Sequence, residues 1–114
     1  FEVDGAVANV VPLGIRGLWF RMRAQTCDVV NLSKGGVAIE SSVELARGQR
    51  VTVHLDVPDS LEPLTLHGTV RWSRRGRHSK YCTIGIQFDP FGRDEENSSS
   101  ALDALRGLEV RYAD

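Results

Sequence analysis

The stretch TCDVVNLSKGGVAI, residues 26–39, decides the fold of this chain. Residues 26–30 and 37–39 are rich in β-branched residues, which predicts two strands. Between them, the side-chain oxygens of Asn31 and Ser33 offer local hydrogen bonds and two glycines follow, as in tight turns. Such a turn either connects two strands of a β protein or holds a phosphate or base edge on its backbone N–H groups. The stretch is compatible with both interpretations.

Segments on either side of this stretch alternate between apolar and polar residues. Val51, Val53 and Leu55 alternate with Thr52 and His54, and a period of two is typical of a strand with one buried face. Several such segments at short spacing, separated by turn signals, predict an all-β barrel or sandwich. The predicted strands are residues 18–24, 26–30, 37–40, 50–57, 64–73 and 81–88, with a further candidate at 7–11.

Near the C-terminus the apolar residues change from period two to helical spacing. Three serines at 98–100 offer an N-cap, and an apolar stripe follows that predicts a short helix over residues 98–108. We expect this helix to close one end of the barrel or to pack on a partner. The chain is then a single domain, 1–114, with an N-terminal segment at 1–17 and the barrel at 18–91. The stripe consists of Ala101, Leu102, Leu105 and Leu108.

The composition limits the class of protein. The 114 residues suffice for one core, and 41% hydrophobic and 25% charged residues are ordinary for a globular domain. A formal net charge of -1 argues against a general DNA- or RNA-binding protein, which has a basic excess. No segment is long enough to span a membrane and no signal peptide is recognisable, so we expect a cytoplasmic protein. Because the chain starts with Phe1, the sequence leaves open whether it is a fragment.

No catalytic constellation is recognisable in the sequence. The histidines at 54, 67 and 78 fall on polar strand faces or in a loop, without a nucleophile–base pattern. Cys27 and Cys82 stand alone in apolar runs without metal-ligand spacing, which predicts buried free thiols rather than a disulfide or a zinc site. Phosphate loops of the GxxxxGK and GxGxxG types are also missing. We therefore expect neither an enzyme nor a metal or cofactor site.

Arginines are concentrated in two clusters, one before the central turn and one on a later hairpin. Guanidinium groups bind phosphates through paired hydrogen bonds and stack on flat bases. On a small β protein they equally keep strand edges soluble. The first cluster is Arg16, Arg21 and Arg23, and the second is Arg71, Arg74, Arg75 and Arg77.

The two tryptophans are expected in different surroundings. Trp72 falls on the apolar face of its strand and is expected in the core. Trp19 alternates with Arg21 and Arg23 on the outer face of the strand at 18–24. There it offers a stacking surface or a contact for a neighbouring domain.

Together these features resemble a PilZ domain, the bacterial module best known for binding the second messenger cyclic di-GMP. The turn fits the family motif (D/N)-x-S-x-x-G at Asn31, Ser33 and Gly36. Residues 68–72 (GTVRW) and 84–88 (IGIQF) are similar to two later strands of such domains, in the same order. The resemblance implies a six-stranded antiparallel β-barrel with a C-terminal helix and a role in signalling.

The second signature of the family, RxxxR, is not recognisable. The resemblance places it just before the first barrel strand, near residues 1–11, which contain no arginine. Arg16 and Arg21 are one residue too far apart, and Arg71 and Arg75 have the spacing but lie late in the chain. We interpret the domain as divergent, with loss of an upstream segment as the alternative. Losing two charge-assisted contacts of roughly 1.5–3 kcal/mol each weakens nucleotide binding by about two to four decades.

Two functions follow from the resemblance. The first is a regulatory module that binds cyclic di-GMP, and the second is an adaptor without ligand that controls motility, pili or polysaccharides through protein contacts. The adaptor would use the Trp19 face or the C-terminal helix, and a purely structural barrel inside a larger chain is a third interpretation. We expect cyclic di-GMP and a protein as partners, without DNA, RNA or membrane insertion. The expected ligand-binding residues are Asn31, Ser33, Gly35, Gly36, Arg16, Arg21 and Arg23.

Overall fold

Six antiparallel strands close into a barrel in the computed structural model, which describes residues 1–13, 25–58 and 62–112. Around the barrel the strands run in the order β1-β2-β3-β6-β5-β4, and one helix follows them. The predicted all-β barrel with a C-terminal helix is confirmed. The elements are β1 (Val7–Pro12), β2 (Gln25–Leu32), β3 (Gly36–Ser41), β4 (Arg50–Asp56), β5 (Leu64–Arg75), β6 (Cys82–Phe88) and α1 (Ser99–Tyr112).

The observed boundaries differ from the expected ones at both ends of the domain. The barrel already begins with β1, so part of the segment expected at 1–17 is a barrel strand. Helix α1 continues beyond residue 108 to Tyr112, because Leu108 and Tyr112 both pack against the core. The strand expected at 18–24 and the residues Arg16, Trp19, Arg21 and Arg23 lie outside the described residues.

Apolar side chains at alternate strand positions fill the barrel. Val51, Val53 and Leu55 of β4 are fully buried, as the period of two requires. Leu105 of α1 is fully buried as well, and α1 lies against β5. The helix starts where Ser98 Oγ accepts a hydrogen bond from the Ala101 N–H at 3.1 Å, which confirms the serine N-cap.

The two cysteines are buried, as the sequence predicts. They lie on β2 and β6, on either side of Ser41 of β3, which pairs with Cys82 in the sheet. Burial raises the pKa of the Cys27 thiol, because the charged form is poorly solvated there. The reactive thiolate is therefore disfavoured at Cys27.

A β-bulge in β5 corrects the expectation that Trp72 lies in the core. The pairing with β6 changes from Val70–Ile86 to Trp72–Gly85, which leaves Arg71 as an extra residue. One extra residue moves the following side chains to the opposite face of the strand. Trp72 therefore lies on the outside of the barrel and is 42% exposed.

Asn97 ties the segment between β6 and α1 to the barrel. Its Oδ1 accepts a hydrogen bond from the His67 N–H at 2.7 Å, and its Nδ2 donates to the carbonyls of His67 and Asp89 at 2.9 Å. Asn97 is only 1% exposed, so these bonds are made away from water. At the surface nearby, the Arg50 guanidinium hydrogen-bonds to Asp89 and lowers the pKa of that carboxyl.

We expect Asn97→Ala to lower the free energy of unfolding by about 2 kcal/mol, because it leaves buried backbone groups of His67 without their partner. The matched control is Asn9→Ala, whose exposed side chain accepts a hydrogen bond from Thr26 at the surface. It should change stability by less than about 0.5 kcal/mol. Urea unfolding of both variants measures the difference, and equal losses would contradict the role given to Asn97.

Candidate functional site

The turn between β2 and β3 is organised by Ser33. Its Oγ accepts hydrogen bonds from the N–H groups of Gly35 and Gly36, both at 3.2 Å, and its own N–H donates to the Gly36 carbonyl at 2.9 Å. A hydroxyl that accepts two backbone hydrogen bonds fixes the shape of the turn. The N–H groups of Gly35 and Gly36 are thus directed at Ser33 Oγ, within the turn itself.

Gly36 is required by the packing of β3 against β6. A Cβ added at Gly36 would lie 2.3 Å from the carbonyl oxygen of Ile86, far inside van der Waals contact. A Cβ added at Gly35 would have Ser33 Oγ as its nearest neighbour, at an ordinary 3.8 Å. Gly36, the glycine of the motif, therefore permits two strand backbones to approach closely. Gly35, which precedes it, has room for a side chain.

A groove of about 410 Å³ runs from this turn across the neighbouring strands. One side is formed by the turn, with Asn31, Ser33, Gly35 and Gly36. Strand β3 pairs with β6, and β6 pairs with β5, so residues of β5 and β6 form the other side of the groove. The remaining lining residues are Val37, Ala38, Arg71, Trp72, Gly85, Ile86 and Gln87.

Trp72 forms the aromatic part of the groove and lies over Gly85. A Cβ added at Gly85 would come within 2.2 Å of the indole atoms Nε1 and Cε2, so glycine is what leaves room for the ring. The guanidinium carbon of Arg74 lies 5.5 Å from the ring centroid, which is a cation–π distance. The indole is therefore positioned by two neighbours while part of its surface stays exposed.

Arg71 brings a positive charge into the groove. It is the extra residue of the β5 bulge and is exposed, and its Nε donates a hydrogen bond to Gln87 Oε1. This bond directs the guanidinium group and leaves its two terminal nitrogens for another acceptor. Within the described part of the chain, the one ion pair joins Arg50 and Asp89, so no described carboxylate neutralises Arg71.

Asn31 stands at the edge of the groove because of a second bulge. The register of β2 against β3 shifts between Val29 and Asn31, and Asn31 is exposed. Its Oδ1 accepts a hydrogen bond from the Phe1 nitrogen at 3.1 Å, while Phe1 and Leu32 exchange backbone hydrogen bonds at 2.9 and 2.8 Å. The chain before β1 thus runs beside the turn motif.

Comparison with protein families agrees with this barrel and its turn motif. The family model described as PilZ domain matches residues 3–102. The chain belongs to the PilZ domain family. A comparison with curated proteins and one with solved structures found no significant match. PilZ domains are regulatory binding modules rather than enzymes, and they generally bind cyclic di-GMP.

No helix in residues 1–13, 25–58 and 62–112 is long and apolar enough to cross a membrane. The same residues contain no group of three or more His, Cys, Asp or Glu side chains that could hold a metal ion.

The structure brings together the four predicted site residues of the turn, whereas the three predicted arginines lie outside the described residues. The sequence pattern does not indicate the other side of the groove. Arg71 lies late in the chain, and the alternation of β5 places Trp72 in the core. The available signal was the similarity of residues 68–72 to a PilZ strand. The missed residues are Arg71, Trp72, Gly85 and Gln87.

Proposed function

We propose that this PilZ domain is a regulatory module that binds cyclic di-GMP in the groove beside the β2–β3 turn. The observation that supports the proposal best is the placement of Arg71 and Trp72 opposite Asn31 and Ser33 around one concave surface. A ligand with two phosphates and two guanine bases needs cationic donors and a flat apolar surface. The groove supplies both, and its volume of about 410 Å³ is in the range of ligand pockets.

Each groove residue has a distinct role in this proposal. Trp72 stacks on one guanine base, and the terminal nitrogens of Arg71 donate to a phosphate or to the O6 and N7 atoms of guanine. Asn31 Nδ2 donates to a base edge, since Oδ1 already accepts from Phe1. Ser33 maintains the turn, and the two glycines let the ligand approach it. Arg16, Arg21 and Arg23 remain proposed phosphate contacts.

The affinity is expected to be lower than that of a domain with a complete RxxxR clamp. Among the groove-lining residues Arg71 alone carries a guanidinium group, where an RxxxR clamp carries two. Counting the groove alone, one charge-assisted contact of roughly 1.5–3 kcal/mol is therefore lacking. This deficit corresponds to an affinity about one to two decades weaker.

Calorimetric titration with cyclic di-GMP at moderate salt tests the proposal. We expect saturable heat with the unaltered chain, and about tenfold or greater weakening in Arg71→Ala, because a charge-assisted contact to the ligand is removed. Arg93→Ala is the matched control, since Arg93 is exposed but does not line the groove. The absence of heat at high ligand concentration would overturn the proposal, as would equal affinities of the two variants.

A second candidate function is the adaptor that acts through protein contacts. Two observations favour it, namely the absence of arginine from residues 1–11 and the exposure of Val110, 85%, on the outer face of α1. In an adaptor this face of α1 would contact a partner protein in the control of motility, pili or polysaccharides. Absence of cyclic di-GMP binding, together with a partner that Val110→Asp releases, would favour the adaptor.

A further inference from the structure

We infer that the end of the β5–β6 hairpin binds an acidic, extended segment of a partner protein as an added strand. The surface consists of residues 71–81, RWSRRGRHSKY, here named the arginine hairpin. Two independent observations carry the inference: the concentration of charge on this hairpin, and a strand edge along one side of it to which no described strand pairs.

The positive charge of the arginine hairpin is local, and no described carboxylate forms an ion pair with it. It holds five of the fourteen Lys and Arg residues of a chain whose formal net charge is -1, and it contains no Asp or Glu. Among the described residues, the one ion pair lies elsewhere, between Arg50 and Asp89. Such a patch on an otherwise acidic protein attracts a partner of negative charge. The five cations, all of them exposed, are Arg71, Arg74, Arg75, Arg77 and Lys80.

Among the described strands, β5 extends beyond its neighbour β4 and has an edge to which no other described strand pairs. Pairing of β4 with β5 ends at Thr69, and the loop before β4 extends the hydrogen bonding by one residue, to Val70. On the other side, β6 continues to pair with β5 as far as Arg75. In the described part of the chain, residues 71–75 are therefore hydrogen-bonded on one side. Every second N–H and C=O of an edge strand points away from its sheet, ready for another strand.

An extended peptide fits both features, whereas a nucleic acid fits one. The backbone of a peptide strand supplies N–H and C=O groups for this edge of β5, and its acidic side chains meet the arginines. A single-stranded RNA would place phosphates on the arginines and a base on Tyr81, which is 45% exposed. It has no amide ladder to match residues 71–75, so the geometry favours the peptide.

The test uses a fluorescently labelled peptide of alternating threonine and glutamate, long enough to cover residues 71–75. Control probes are the same peptide N-methylated at every residue, which keeps the charge but removes the backbone donors on both edges, and an oligouridine of similar charge. We expect anisotropy to report saturable binding of the first peptide at low salt, with weaker binding of both controls. Amide exchange should slow at residues 71–75 when the peptide is bound.

Two charge-reversal variants distinguish peptide binding at the arginine hairpin from attraction by the overall charge of the protein. Arg75→Glu/Arg77→Glu lies on the arginine hairpin outside the groove, and Arg93→Glu/Arg106→Glu makes the same charge change at exposed positions elsewhere. The first variant should weaken peptide binding by about tenfold more than the second. Equal losses, equal binding of the N-methylated peptide, tighter binding of the oligouridine, or unchanged exchange at 71–75 would each overturn the inference.

Discussion

Gly36→Ala is expected to lower the free energy of unfolding by about 3 kcal/mol or more, a large part of the total stability of a small domain. The added Cβ would lie 2.3 Å from the Ile86 carbonyl oxygen. The atom in its way belongs to a strand backbone, which cannot rotate aside as a flexible side chain does. Relief of the clash therefore requires β3 and β6 to separate, and their shared ladder to weaken.

Gly35→Ala is the matched control, one residue away in the same turn. Its Cβ would have Ser33 Oγ, 3.8 Å away, as its nearest neighbour, and the φ of Gly35 is not positive. We expect this variant to unfold within about 1 kcal/mol of the unaltered chain. Thermal unfolding followed by circular dichroism distinguishes the two variants, with Gly36→Ala lower in Tm by about 10 °C or more. Similar Tm values would show that the strand contact does not require the second glycine.

Trp72→Ala is expected to weaken cyclic di-GMP binding by about tenfold to a hundredfold. Stacking of a base on an aromatic side chain contributes roughly 1–3 kcal/mol per base. Trp72 is suited to this contact because it lies over Gly85, beside Arg74, with an exposed surface in the groove. Trp72→Phe should retain part of the affinity, since a smaller ring still offers a stacking face.

Tyr81→Ala provides the comparison, because Tyr81 is exposed to a similar degree but does not line the groove. Its affinity for cyclic di-GMP should equal that of the unaltered chain. Calorimetry on the three variants, with their folds checked by circular dichroism, gives the affinities. Unchanged affinity in Trp72→Ala would show that no base of the nucleotide stacks on Trp72.

The barrel was predictable because its strands obey a simple period. On β4 the apolar residues are buried and their neighbours are not, so sequence alternation translates directly into inner and outer faces. The helix was predictable for a similar reason, since a serine N-cap precedes an apolar stripe. The order of strands around the barrel, in contrast, depends on long-range pairing that alternation does not encode.

The side of the groove formed by β5 could not be predicted, because prediction relies on alternation and a bulge in β5 reverses that alternation. Counting by twos from Val70 places Trp72 inside, and only the three-dimensional pairing shows that Arg71 is an extra residue. The same pairing brings Arg71 next to the β2–β3 turn. Bulges are frequent beside functional sites, where they re-aim side chains, and these are the positions where pattern-based prediction fails.

The segment at 1–11, where the resemblance places the RxxxR signature, is partly a barrel strand. Residues 7–12, which fall largely within the expected range of 1–11, form β1 and pair with β2 and β4. The segment beside the turn motif is instead the one around Phe1, which hydrogen-bonds to Asn31 and Leu32. The distance along the chain from Asn31 does not reveal that Phe1 lies beside the turn, because the whole of strand β1 lies between these two residues.

Two-dimensional NMR of the isotopically labelled chain, titrated with cyclic di-GMP, shows whether the nucleotide occupies the groove between the β2–β3 turn and Trp72. We predict saturable shifts of the backbone amides of Gly35, Gly36 and Gly85 and of the Trp72 indole N–H, with α1 unaffected. Shifts confined to α1 or to the arginine hairpin tip, or no shifts at high ligand concentration, would contradict the account.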